Sequence, residues 1–282
     1  MLLKDRRVKK ILFLVAIVFV LAGCTANLDA SGAIKPERVI DNNTAWTLSQ
    51  GWFDFLIVMP IAKLILLIEG WIGIVAAIII VTILTNVLTL PLMIKSTVMS
   101  QKMQALQPQM ERIQNKYRGR TDQTSKARMS TEINNLYKKN GVKMGQTMLL
   151  PFLSFPIMIA MWQAVQRIPS VYEATFAGLN LGKLPMQMIT SGQWAYLVLI
   201  IVLALFQFAS MQLPQILQKR SKNYRAPKKG KNSMLLMNVY MMVLILMASL
   251  NMPSAMSIYW IVTSIIAVIR SVYIHYQYTE KM

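Results

Sequence analysis

The sequence predicts an all-α polytopic membrane protein with five transmembrane helices, an outer interfacial helix and a cytosolic antiparallel helical hairpin. Three observations carry this. Of 282 residues, 55% are hydrophobic and 15% charged, with a mean hydropathy of +0.45, whereas soluble domains carry about 25% charged residues. Apolar runs long enough to cross about 30 Å of hydrocarbon recur along the chain. The formal charge of +19, from 30 Lys+Arg against 11 Asp+Glu, is clustered between those runs. Such clustering reports membrane topology, and no nucleic-acid partner is expected from it. One cysteine excludes an intrachain disulfide, and one histidine excludes a His-based metal cluster.

At the N-terminus, residues 4–10 (KDRRVKK) hold five cations and one acid, followed by the apolar run ILFLVAIVFVL at 11–21. That run is too short to span and has the length of a signal-peptide core. It ends in Leu21-Ala22-Gly23-Cys24, which resembles the bacterial lipoprotein cleavage box. Residues 1–23 are therefore expected to be a signal peptide and Cys24 to carry a covalent lipid. Acyl chains contribute about 0.8 kcal/mol per buried CH₂, so this anchors the mature end, outside the cell. Residues 24–51 follow as an extracellular segment.

Residues 55–94 are too long for one straight crossing. Trp52, Phe53, Pro60, Lys63 and Glu69 mark the first part as less lipid-like. Residues 52–69 are read as an amphipathic helix in the outer interface, with Gly70 as the bend. The spans are then 71–94, 146–168, 191–213, 234–250 and 254–273. Between them lie the hairpin at 95–145, an extracellular loop at 169–190, a basic loop at 214–233 and a short cytosolic tail at 274–282.

Charge orients these spans. Residues 95–145 carry eleven cations against Glu111, Asp122 and Glu132, and residues 214–233 carry seven cations and no acid. The segments 169–190 and 251–253 hold Lys183 as their only cation. With the mature N-terminus outside, five spans put both basic loops in the cytoplasm, the positive-inside pattern. Six spans, with a crossing before Gly70, would reverse it.

In the hairpin, Met99, Met103, Leu106, Met110, Ile113 and Tyr117 follow i, i+4, i+7, i+11, i+14, i+18, one face of a helix. Arg118–Asp122 is a turn cluster. Met129, Ile133, Leu136 and Tyr137 form a second stripe, closed by Asn140-Gly141. Facing stripes and a short tip make an antiparallel hairpin. It serves either as a solvated connector or as a mobile paddle whose methionines meet incoming apolar chain.

Polar residues inside spans are the exceptions that carry information. Thr82, Thr85, Asn86 and Thr89 fall on one face of the first span. Ser257, Trp260 and Ser264 repeat along the last, with Tyr259 and Thr263 alongside, while Gln163 lies on the second and Gln207 and Ser210 on the third. A single threonine bonds its own helix. The amides of Asn86 and Gln207 seek more partners, and aligned stripes on several helices predict a shared wet surface. Such a groove, open to cytosol and lipid, would solvate a polar chain segment part-way across while its apolar neighbour slides into lipid.

These residues resemble the YidC/Oxa/Alb family of membrane protein insertases, in its Gram-positive lipoprotein-type form, from about Trp52 to Tyr276. The resemblance rests on Leu90-Pro91-Leu92 followed by MQALQPQMERIQNKY at 103–117, LYKKNGV at 136–142, LLPFLSFPIMIAMW at 149–162, and Pro253-Ser254-Ala255 leading to Tyr259-Trp260. It implies a bacterial plasma-membrane protein that inserts and chaperones small membrane proteins, alone or beside the Sec translocon, and works without catalysis or a cofactor. Its partners would be nascent membrane proteins, lipid and, in some relatives, the ribosome. Trp260 matches a cavity-facing family position. Asn86 stands where the family usually carries an arginine, so reliance on hydration and apolar sliding is expected. The tail after Arg270 adds only Lys281, so a long basic ribosome-binding tail is not expected.

A solute transporter or channel is the rival reading, but the chain shows no internal repeat and no acid in the spans after Glu69. An intramembrane hydrolase would need a Ser/His dyad, paired carboxylates or a metal motif. His275 lies beyond the last span, and neither HExxH nor GxSxG occurs. A purely structural anchor would leave the polar stripes without a purpose.

Overall fold

A computed structural model describes residues 34–220 and 233–279. Cys24, the signal segment 1–23 and most of the basic loop 214–233 lie outside these described residues. A π-helical turn, Asp54–Val58, leads into α1 (Met59–Ile72), then α2 (Ile74–Ala105), α3 (Gln107–Lys116), α4 (Gln123–Lys139) and α5 (Met144–Arg167). A short α6 (Pro169–Glu173), a two-stranded hairpin (β1 Thr175–Phe176, β2 Leu179–Asn180) and α7 (Pro185–Thr190) precede α8 (Ala195–Arg220), α9 (Ser233–Leu250) and α10 (Ser254–Ile274). The protein is an all-α membrane protein. Among the described residues, Asp54–Ile72, Ile74–Met103, Ala195–Leu217 and Ser254–Gln277 are long and apolar enough to cross a bilayer, and the apolar stretch Asn238–Leu250 is shorter.

Two boundaries differ from the sequence reading. Gly70 is helical, and the break falls at Gly73, whose φ of +83° needs no Cβ and whose N–H donates to the Glu69 carbonyl at 2.9 Å. The first span runs without a break into the start of the first hairpin arm, and the rest of that arm is α3. α2 has 32 residues, about 48 Å at 1.5 Å per residue, so it outruns the hydrocarbon and carries the hairpin on its end. Pro91 lies inside it without ending it.

The core joins Met59, Ala62 and Ile65 of α1, Ala77, Ile78 and Val81 at the start of α2, Ala160, Met161 and Ala164 near the end of α5, and Ala255 and Met256 at the start of α10. The start of α2 therefore meets the end of α5, antiparallel, and the start of α10, parallel. Outward, α8 exposes Val198, Ile201 and Leu205, and α9 exposes Tyr240, Val243 and Met247, an apolar coat that suits lipid.

Candidate functional site: a polar seam and its two ends

On α2 the continuous apolar pattern is broken on the inward face only. Thr82 is fully buried and Asn86 and Thr89 nearly so, while Ile83, Leu84, Val87 and Leu88 are exposed. The hydroxyls bond back along the helix: Thr82 to the Ile78 carbonyl at 2.7 Å, Thr85 to Val81 at 2.9 Å and Thr89 to Thr85 at 2.9 Å. Asn86 Nδ2 donates to the Thr82 carbonyl at 2.8 Å. The seam is thus lined by oxygens whose own protons are spoken for and whose lone pairs still accept.

α10 supplies the opposite wall. Ser257, Tyr259, Trp260 and Ser264 are buried and Thr263 is half-buried. Ser264 Oγ donates to Gln207 Oε1 of α8 at 2.9 Å, a bridge between helices across 57 positions. Among the described residues, Ser210 bonds its own helix, at the Gln207 carbonyl. Among the described residues, Ser257 Oγ and Thr263 Oγ1 are buried without a hydrogen-bond partner, which costs about 1–3 kcal/mol each unless something else bonds them. Gln163 is buried on α5. At the hairpin end, the Arg270 guanidinium of α10 reaches Met93 Sδ of α2 at 2.7 Å, one turn past Thr89.

The hairpin apolar stripe is spent largely on the hairpin itself. Leu106, Tyr137 and Val142 are buried together, with Met103, Met110, Ile133 and Leu136 packed against them. The Tyr137 hydroxyl donates to Met110 Sδ at 3.0 Å. Tyr117 is buried too and its hydroxyl donates to Glu132 Oε1 at 2.7 Å, while Met99 and Ile113 are half-buried outside that cluster.

Acids hold the hairpin tip. Asp122 caps α4 by accepting from the Ser125 N–H at 2.7 Å and from the Thr124 hydroxyl, and these bonds, the hydroxyl first, put its carboxyl well below the ordinary carboxylate range. Glu132 is lowered by Lys116, whose Nζ donates to it at 2.7 Å, and then by Tyr117. Carboxyls with depressed native pKa values stabilise above their unfolded values, and that contribution fades as pH falls through the lowered ones. Amide protection in 107–139, corrected for the intrinsic pH dependence of exchange, is therefore expected to be high at neutral pH and to fall below about pH 4. Glu132→Gln should remove part of that acid dependence, and an unchanged profile would refute the assignment.

The end opposite the hairpin holds residues that sequence reading missed. Arg167, at the end of α5, is fully buried; its Nη1 donates to Asp54 Oδ2 at 2.8 Å, its Nη2 to Gln50 and its Nε to the Arg38 carbonyl at 2.6 Å. Arg38 stands 3.6 Å from the same carboxylate. The Ile40 N–H donates to the Arg167 carbonyl at 2.8 Å, and Lys63 Nζ of α1 donates to the carbonyls of Asp41 and Asn42, both at 2.9 Å. Arg167 ends an apolar helix and Asp54 opens another, which hinted at special roles, but a separation of 113 positions hid the pairing. A cavity of about 640 Å³ opens beside Arg167. One wall is tight, since a Cβ on Gly182 would stand 2.6 Å from Tyr172 Cα. Among the described residues no cluster of His, Cys, Asp and Glu has a metal-holding arrangement.

The sequence matches the family described as 60Kd inner membrane protein over residues 67–281. It is 29% identical over 257 residues to membrane protein insertase YidC 2 of Bacillus anthracis, covering 90% of this chain and 88% of that one. Membrane protein insertase MisCA of Bacillus subtilis is 29% identical over 265 residues, 93% of this chain and 88% of its own. Membrane protein insertase YidC of Enterococcus faecalis is 31% identical over 264 residues, 93% of this chain and 82% of its own.

Proposed function

The chain belongs to the 60Kd inner membrane protein family, the YidC/Oxa/Alb insertases, and on that premise we propose how this member works. It is a membrane-integral insertase whose substrates are nascent membrane proteins. Its working surface is the seam between α2, α8 and α10. The observation that carries this reading is the Ser264–Gln207 bridge at 2.9 Å beside the buried Thr82–Asn86–Thr89 row. A polar client segment entering hydrocarbon loses hydrogen bonds at several kcal/mol per unsatisfied group. The accepting oxygens of α2 and the unpartnered hydroxyls of Ser257 and Thr263 replace some of them, while the client's apolar segment moves sideways into lipid. The protein uses no catalytic residue, metal or cofactor for this, and Cys24 carries the lipid that tethers the mature end.

The mature N-terminus lies outside and the C-terminus in the cytoplasm, with the hairpin on the cytosolic side. The placing of α1 supports its interfacial role. One end is fixed to Arg167 through Asp54, the other joins the start of α2, and both attachment points lie at the end of the bundle away from the hairpin. A helix held so runs across that end, as an outer interfacial helix does. The protein acts alone or beside the Sec translocon, receiving clients from the ribosome.

Photo-crosslinkers at Thr85, Gln207 and Trp260 are expected to trap a nascent client in transit; adducts with lipid alone at all three would exclude the seam. Asn86 holds the usual arginine place without charge, so Asn86→Arg should leave insertion of weakly charged clients nearly unchanged. A large gain, measured by protease protection of the inserted client, would mean that a cation there does work that hydration cannot.

A further inference from the structure

The cavity at the outer end has a use that the seam does not explain. Its volume is about 640 Å³, within the range that holds small ligands. Trp162, Gln166, Tyr172, Gly182, Leu184 and Pro253 are among the residues that line it. Two of these residues carry buried polar atoms with no partner among the described residues, the donor Trp162 Nε1 and the acceptor Gln166 Oε1, and Gln166 is only 8% exposed. Ser170 Oγ, at the next turn, is a third such atom.

Trp162 and Gln166 are i and i+4 on α5 and so lie on one face of the helix. An extended polypeptide presents both a carbonyl and an N–H along each edge, and each needs a partner once it leaves water. An open donor and an open acceptor on one wall complement that pair of backbone groups. An anion is a poor fit. Arg167 also lines the cavity, but its guanidinium is committed to Asp54, Gln50 and the Arg38 carbonyl. Glu173, which is exposed, is the other charged residue lining it and has no ion pair among the described residues. That excludes a lipid phosphate on charge.

We propose that this cavity is a receiving site for an extended, uncharged stretch of client polypeptide emerging on the outer side. Trp162 Nε1 donates to one backbone carbonyl, and Gln166 Oε1 accepts from a backbone N–H. The proposal rests on the insertase reading and adds an exit site to it. A segment leaving the seam trades one set of bonds for another before it reaches water, and slipping back becomes slower.

The test uses the full chain in phosphatidylethanolamine–phosphatidylglycerol vesicles, with a photo-crosslinker at Leu184. One client is a single-span protein with a short uncharged tail to be translocated, and the other is the same protein without the tail. Adducts with the tail are expected. The double variant Trp162→Phe/Gln166→Met should lower them about tenfold, the loss of two ordinary hydrogen bonds, and slow translocation of the tailed client while sparing the tail-less one. Gln166→Met alone should leave the thermal midpoint unchanged or higher, because that oxygen bonds nothing in the fold. Adducts with lipid only, adducts indifferent to the double variant, or a lowered midpoint in Gln166→Met would each overturn the site. Failure of the unaltered protein to insert the tail-less client would instead refute the insertase reading.

Discussion

Asp54→Asn is expected to destabilise the end of the bundle away from the hairpin by about 3–5 kcal/mol, the usual penalty for stranding one partner of a buried ion pair. The carboxylate holds the fully buried Arg167 at 2.8 Å and stands 3.6 Å from Arg38. Its loss leaves two like charges facing each other with no anion between them. Those groups tie the segment 38–50 and the start of α1 to the end of α5, so this whole cap should loosen together. Thermal unfolding in detergent should show a lower midpoint, and proteolysis should first cut between residues 38 and 58. Replacing both partners by apolar residues, Asp54→Leu with Arg167→Met, should recover much of the loss, because a buried pair and a well-packed apolar pair are often close in energy. A double variant as unstable as the single one would show that the bonds to Gln50 and the Arg38 carbonyl carry the cap instead.

The largest functional effect is expected from drying the seam. The combination Asn86→Leu, Gln207→Leu and Ser257→Ala removes the Ser264 acceptor, one unpartnered hydroxyl and the Asn86 amide in the buried row of α2. The helices gain apolar surface and should remain folded. A charge at the bilayer centre costs about 2.5–3.5 kcal/mol on insertion scales, and each 1.36 kcal/mol of barrier is tenfold in rate. Clients with a polar translocated segment should therefore be inserted at least about tenfold more slowly, within that limit. Clients whose translocated segment is negligible should be little affected, since lateral movement into lipid needs no bonds from the seam. Equal loss for both client types, measured by protease protection in vesicles, would mean that the variant has damaged the fold or that polarity is not the working property.

Much of this was legible in the chain because it is local. Hydropathy gave the class, and helical period gave the inward faces. Thr82, Asn86 and Thr89 are buried as their spacing requires, and Asn140-Gly141 ends the second hairpin arm with Gly141 at φ +66°. The chemistry of the faces was less legible. The threonines share a face and their protons are taken by their own helix, as expected of short hydroxyls, but which neighbour closes that face depends on the packing of α10. The hairpin stripe was readable as apolar, whereas its use, packing Leu106 and Met110 against Tyr137, depends on the second arm. The bend moved from Gly70 to Gly73 because either glycine ends a helix, and the packing of α1 on its neighbours selects one.

The sequence by itself determined the solvent in which this protein folds, its helical make-up and the polar residues that interrupt its spans. These follow from transfer free energy and from the 3.6-residue period, which act within one segment. Tertiary structure alone decided that Arg167 meets Asp54 across 113 positions, that Ser264 meets Gln207 across 57, and that Trp162 and Gln166 line a cavity with unpartnered atoms. A buried polar group takes the partner that packing brings within about 3 Å, and packing is a property of the assembled bundle.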